Sequence, residues 1–444
     1  MELKELRRAA EAIAYSAIRA VDPEALIRKS VRLEGDELIL DEWCVDLTEF
    51  KRILVVGGGK ASASMAKALE EILGDRISDG VIVVKDGYAE TLRRMKVLEA
   101  GHPVPDERGV EASRRMMALL AEHARSDTLA LCLISGGGSS LMPLPSEGIS
   151  LSAKQKTTRL LLECGASIEE INTVRKHVSR IKGGQLARIA APARIFSLIL
   201  SDVVGDPLDI IASGPTVGDS SSFSDAEAVL KKYEIWKQVP KIVREVIEKG
   251  TQNSIQETPK PGDKTFDTVS NIIIGNNQRA VEAASEKAAS LGLRPLTLST
   301  CMVGEAREVG TVLASIAIEV ARTGNPVVPP ACILAGGETT VTVRGRGKGG
   351  RNQELALAAA LRLSHVEQSI VIGSVGTDGT DGPTDAAGAI VDTTTVARAR
   401  ERGLDPLQHL AQNDSYTVLQ PVGDLLMTGP TGTNVMDILM ALVG

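Results

Sequence analysis

The chain has 444 residues, too many for one ordinary hydrophobic core and enough for two. A formal charge of -7 and an aromatic content of 2% exclude a basic or aromatic-lined nucleic-acid platform, and no apolar run is long enough to span a bilayer. Five cysteines, Cys44, Cys132, Cys164, Cys301 and Cys332, are scattered and form no Cys-x-x-Cys pair, so reduced thiols and a cytoplasmic enzyme are expected.

In chain order, residues 3–21 place Leu6, Ala10, Ile13, Ala14 and Ala17 on one helical face. Asp22-Pro23 ends that helix and can open another. Two short apolar runs flank Gly35-Asp36, a hairpin pattern. From Ile53 the rhythm becomes strand, loop, helix. Strands are expected at 53–56, 81–84, 96–99, 129–134 and 195–201, with helices near 61–73, 109–125, 152–163, 168–190, 225–234 and 240–249. Ser224 and Glu227 have capping-box spacing. Runs such as Val81-Ile82-Val83-Val84 have no polar face, which predicts a parallel sheet covered on both sides. The polar stretch 251–268, with two prolines and one glycine, is the expected linker. It divides a domain at 1–250 from one at 269–444, where short strands and Gly/Thr/Asp loops predict a mixed sheet. The expected fold class is α/β, with a doubly wound, Rossmann-like N-terminal domain and a C-terminal α/β domain.

Two glycine-rich loops follow buried strands. Gly57-Gly58-Gly59-Lys60 follows Ile53-Leu54-Val55-Val56, and Ser135-Gly136-Gly137-Gly138-Ser139-Ser140 follows Leu131-Cys132-Leu133-Ile134. Such loops present unpaired backbone N–H groups to an anion, usually phosphate. Lys60 faces the positive end of a helix dipole, an unfavourable placement that a bound anion would reverse. Lys60 is followed by Ala61, which breaks the Walker A pattern, and Ser62 stands where a dinucleotide fingerprint needs glycine. A third loop carries Arg344, Arg346, Lys348 and Arg351 among glycines, with Arg351 and Asn352 opening a helix. An arginine there can grip a phosphate or carboxylate as a two-pronged fork. Asp202 at a strand end, and Asp378 and Asp381 in a Gly/Thr/Asp loop, are candidate magnesium ligands and equally ordinary turn formers. The five histidines show no metal-ligand spacing; His102, in Gly101-His102-Pro103, either faces a cleft or shapes a turn.

The same segments resemble the class II glycerate 2-kinases, whose C-terminal domain is called MOFRL and some of whose members are named hydroxypyruvate reductase. The resemblance rests on VVGGGKASASMA (55–66), GHPVPDERG (101–109), LISGGGSSLMPLP (133–145) and INTVRKHVSRIKGGQLA (171–187). It continues through LSDVVGDPLDIIASGPT (200–216), ILAGGETTVTVRGRGKGGRNQELALA (333–358), GTDGTDGPTDAAGA (376–389) and TGPTGTNVMD (428–437). It implies ATP-dependent phosphorylation of D-glycerate at the 2-hydroxyl, with Mg2+ or another divalent metal, in an interdomain cleft. The family's functional lysine and arginine fall on Lys60 and Arg351. Gly57, Gly58, Gly59, 135–140, Lys348 and Asn352 are the expected phosphate- and substrate-binding positions, and which loop takes ATP stays open. Partners are then small molecules, with no nucleic acid or membrane and a homo-oligomer left open. The competing reading is an NAD(P)H-dependent hydroxypyruvate reductase, against which stand Ser62 and the lack of a well-placed ribose-binding acid.

Overall fold

The computed structural model describes residues 1–444. Their contacts group into two compact units, Pro23–Ser201 with Asp206–Ile274, and Met1–Asp22 with Asp202–Gly205 and Gly275–Gly444.

The first of these units carries a small antiparallel sheet of β1 (Val31–Glu34), β2 (Glu37–Leu40) and β3 (Trp43–Asp46), whose hairpin turns at Gly35-Asp36 as the sequence suggested. Its main sheet comprises β4 (Arg52–Gly58), β5 (Ile77–Lys85), β6 (Lys96–Ala100), β7 (Thr128–Ile134), β8 (Arg194–Leu200) and β9 (Val269–Gly275). The spatial order is β6-β5-β4-β7-β8-β9, and the pairings from β6 through β8 are parallel. This is the doubly wound order, in which the direction of winding reverses between β4 and β7. Ligands of such sheets bind outside the strand C-termini at that reversal, where both glycine-rich loops emerge.

The second unit holds a mixed sheet of β10 (Arg294–Met302), β11 (Ala331–Gly337), β12 (Ile370–Gly376), β13 (Gly388–Asp392), β14 (Leu425–Leu426) and β15 (Asp437–Val443), in the order β10-β11-β15-β12-β13-β14. Only β10 and β11 pair in parallel. Strands β11, β12 and β15 are buried along their whole length, as a sheet covered on both faces requires. The long helices Ala306–Thr323 and Arg351–Leu363 bury alanine-rich faces against it.

Three expectations need correction. The helix Leu3–Ala20 belongs with the second unit: its apolar face is buried there, and Arg7 bonds Asp392, Asp424 and the carbonyl of Ile390. Residues 251–268 are a strap on the first unit, where Glu257 accepts from His177 and from the amide of Phe223, and Thr258 donates to Asp219. The run Ile272-Ile273-Ile274 lies in β9 and completes the first sheet instead of starting the second domain. Locally, the helix expected at 168–190 is broken between Ile168–His177 and Gln185–Ala190, where Gly183 and Gly184 take φ of 56° and 77°. The capping box forms at Ser222 and Asp225 instead of Ser224 and Glu227.

Candidate active site

The loops after β4 and β7 are locked together before any ligand is considered. Gly57 and Gly58 are the last residues of β4, opposite Leu133 and Ile134 of β7. A Cβ on Gly57 would stand 2.0 Å from the Leu133 carbonyl oxygen, and one on Gly59 would stand 2.1 Å from Ser135 Oγ. These glycines let backbone press on backbone. Ser135 is 1% exposed; its Oγ accepts from the Ala61 amide at 3.0 Å and lies 3.2 Å from Ser62 Oγ. The Lys60 amide donates to the Gly136 carbonyl at 2.8 Å. Ser135, expected at a ligand, therefore spends its hydroxyl as a staple.

The rest of the second loop is available. Gly138 donates to the Ser135 carbonyl and Ser140 to that of Gly137, while the amides of Gly136, Gly137 and Ser139 have no backbone acceptor. Gly137, at φ 82°, packs so closely that a Cβ there would lie 2.9 Å from His102 Nε2 and 3.5 Å from Lys60 Cγ. Lys60 and His102 thus both pack beside Gly137. Burial, followed by the charges of Lys60 and Lys85, pushes the His102 imidazole down to about 4. It is a neutral ring beside a cation.

Arg351 opens the helix Arg351–Leu363, and its guanidinium is already held. Nε and Nη2 donate to Asp437 Oδ2 and Oδ1 at 2.6 and 2.9 Å, and Nη1 lies 2.7 Å from Glu338 Oε1. Burial raises the carboxyls of both Glu338 and Asp437 above their usual range, and the Arg351 charge opposes that rise. Asn352 is saturated. Its Nδ2 donates to Asp381 and Asp437 and its Oδ1 accepts from Ser374 Oγ, all in a buried environment, so its expected ligand contact finds no free polar atom.

Asp381 is likewise occupied. Its Oδ1 accepts from the amide of Asn352 and its Oδ2 from the amide and side chain of Gln353. It serves as the anionic cap of that helix, and burial lifts its carboxyl to about 6. Asp378 accepts from the amide and hydroxyl of Thr380 in a loop after β12, and Asp202 follows β8. The three carboxylates form no metal-binding cluster. Asp381, with both oxygens bonded to Asn352 and Gln353, has none to spare for a cation, which corrects its expected role as a metal ligand.

The basic loop at 344–350 has a packing explanation. A Cβ on Gly345 would meet the Gln412 carbonyl oxygen at 2.2 Å, one on Gly347 would meet Asp414 Cβ at 2.3 Å, and one on Gly349 would meet Ser415 Oγ at 2.3 Å. Glycine at every second residue thus lays an extended chain flush on the segment 412–415. Lys348 Nζ sits 3.7 Å from the centre of the Tyr416 ring, so its charge is directed to that face instead of an anion.

Comparison with known proteins is decisive about ancestry. Residues 9–248 match the model described as domain of unknown function DUF4147, and residues 331–437 match the MOFRL family. The chain is 46% identical to a glycerate 2-kinase of Pyrococcus horikoshii, covering 96% of this chain and 95% of that protein. It is 45% identical to a D-glycerate 2-kinase of Thermotoga maritima over 99% and 98% of the two chains. The chain belongs to the glycerate 2-kinase family. A crystal structure of the Thermotoga maritima glycerate kinase superposes with a TM-score of 0.88 at 43% identity, covering 99% of this chain and 100% of that one. A relative from Agrobacterium vitis, 44% identical over 88% of this chain and 87% of its own length, carries the name putative hydroxypyruvate reductase. Within this member of the glycerate 2-kinase family, sequence reasoning passed over Glu338 and Asp437, the two acids that hold Arg351. Glu338 directly follows one wholly buried strand, and Asp437, itself buried, opens another, where a carboxylate is costly without a partner.

Proposed function

We propose that this protein transfers the γ-phosphoryl group of ATP to the 2-hydroxyl of D-glycerate, giving 2-phospho-D-glycerate and ADP in the cytoplasm. One observation carries it: at the switch point of a doubly wound sheet, Lys60 packs beside Gly137 in a stapled pair of loops where the amides of Gly136, Gly137 and Ser139 have no backbone acceptor. Phosphoryl transfer asks a protein mainly for such positioning and charge neutralisation.

In this reading the amides hold phosphate oxygens and Lys60 balances their charge. Arg351, pre-aimed by Asp437, offers its Nη1 edge to the substrate anion in exchange for Glu338. Asp202 or Asp378 would hold a divalent metal, which would supply charge neutralisation for the phosphoryl group. The 2-hydroxyl lies next to the glycerate carboxylate, so its phosphorylation brings two anions together and calls for cations at both; Lys60 and Arg351 supply two.

The test is a coupled assay with ATP and D-glycerate in which the product is fed to enolase without phosphoglycerate mutase. A signal identifies 2-phosphoglycerate, and a signal only after mutase is added would overturn the regiochemistry. A parallel arm with NADH or NADPH and hydroxypyruvate should show no oxidation of the nicotinamide.

A further inference from the structure

Behind the serine-glycine loop lies a group of cations that the reaction as described does not use. Lys182 is 1% exposed, among the largest fully buried side chains of the protein. Its Nζ donates to the carbonyl of Ser139 at 2.8 Å, to Ser139 Oγ at 2.9 Å and to the Ala212 carbonyl at 3.4 Å. Ser139 Oγ in turn lies 3.0 Å from Ser213 Oγ, which donates to Asn172 Oδ1 at 3.1 Å. Every partner in this chain is neutral.

The charges acting on Lys182 are Lys154 and Arg175, and both are positive. Lys154 is 6% exposed and donates only to the Pro143 carbonyl, at 2.9 Å; burial and then Arg175 push its amine down to about 7. Burial lowers the Arg175 guanidinium as well, with no carboxylate to offset it. The contrast with Lys176 is instructive. That lysine, 4% exposed, is given two acids, Asp209 at 3.2 Å and Asp219 at 3.4 Å. The charge of Lys176 is thus balanced within the fold. That of Lys182 is not, although uncompensated buried charge is destabilising.

The backbone held by Lys182 is itself strained. Ala212, Ser213 and Gly214 take φ of 51°, 61° and 60° in succession, a conformation that side chains resist, and Lys182 ties the first of them to Ser139. Strain of this kind persists where surrounding bonds over-determine it, often at ligand sites.

The geometry points to Lys182 as a positioning residue for a polyphosphate: with Lys154 and Arg175 near it, it sets Ser139 and the open amides of Gly136, Gly137 and Ser139 to receive the phosphate chain of the nucleotide. The inference deepens the kinase reading of this loop and rests on it for the identity of the nucleotide. A polyphosphate is favoured over the glycerate carboxylate by charge. Lys154, Arg175 and Lys182 lie near one another with no acid acting on them, and the several charges of a phosphate chain offset that group better than a single carboxylate would. Arg351, by contrast, is surrounded by Glu338, Asp437 and Asp381.

The test uses the full chain with Lys182→Met, which keeps the volume and removes the amine. Binding of inorganic pyrophosphate and of ADP is measured by calorimetry, and KM for ATP and D-glycerate by steady-state kinetics. Affinity for pyrophosphate and ADP should fall about tenfold or more, the ATP KM should rise in step, and the glycerate KM should change by less than about twofold. The thermal midpoint should hold or rise, since a buried charge without a counter-ion has gone. Unchanged pyrophosphate and ADP affinity would overturn the assignment, as would a rise in glycerate KM alone, which would make this the carboxylate site. If Lys182→Met does not fold, Ser139→Ala and Lys154→Met decide by the same readouts, and both must weaken pyrophosphate. Pyrophosphate binding is independent of turnover, so failure of the kinase reading would appear as absent activity in the wild type with this binding intact.

Discussion

Arg351 and Asp437 meet in a two-pronged ion pair at 2.6 and 2.9 Å, joining the first residue of a helix to the first residue of a buried strand 86 positions later. Asp437 is 1% exposed and Arg351 33%, so the acid depends on the guanidinium more than the reverse. The cation that the sequence marks as a ligand for substrate is therefore also a structural counter-ion.

Arg351→Ala should consequently cost both activity and stability. Turnover should fall about 100-fold or more, as for loss of one charge contact to a transition state. Stability should fall by about 2 kcal/mol, because Asp437 is left buried without its partner. The sign with pH follows from the raised carboxyl of Asp437. A group whose folded pKa lies above the unfolded one favours the fold below the unfolded value and loses that contribution as pH rises through the folded value. Chemical denaturation should thus show a smaller defect at pH 5 than at pH 8; an equal defect at both would remove Asp437 as its cause.

Lys60→Ala should separate the two roles. Lys60 is half-buried at a loop and does not neutralise a buried strand-end acid as Arg351 does, so melting should be close to wild type while turnover falls about 100-fold or more. Steady-state kinetics beside a thermal melt check this, and near-wild-type turnover at saturating glycerate would exclude Lys60 from the chemistry.

His102 should stay neutral well below the usual histidine range. Its pKa of about 4 reflects burial first and then Lys60 and Lys85. Below the unfolded value near 6.5 the unfolded chain binds a proton that the folded one refuses, so the stability it contributes is present above about 6.5 and lost as pH falls towards 4. The imidazole C2 proton in NMR should not shift between pH 8 and about 5.5, and Lys60→Met should move its titration upward. A midpoint near 6.5 in wild type would contradict the placement of His102 beside Lys60.

Gly345→Ala should loosen the basic loop without touching the proposed phosphate site. The new Cβ would stand 2.2 Å from the Gln412 carbonyl oxygen, and relieving that clash should cost about 1–3 kcal/mol. Hydrogen exchange should rise at Gly347, whose amide donates to Gln412, and at Lys348, whose amide donates to Asp414. Unchanged exchange there would mean that the glycine spacing serves something other than this contact.

Much of the fold is legible in the chain because its signals are local. Runs of apolar residues without a polar face mark buried strands, and glycines directly after them mark the turns at β4 and β7. Lys60 and Arg351 stand out because a cation at a helix mouth is locally unfavourable. What only the tertiary structure decided is how each surface is spent. The apolar face of Leu3–Ala20 is evident, but not that it covers a sheet formed some 300 residues later. Ile272-Ile273-Ile274 reads as a strand, yet nothing local says which sheet it completes. Ser135, Asn352 and Asp381 have the chemistry of ligand-binding groups and are consumed by neighbours 20 to 90 residues away. The glycines of 345–349 look like a phosphate cradle until 412–415 is seen lying on them. A sequence states what each residue can bond; long-range packing determines which partner arrives first and what is left for a ligand.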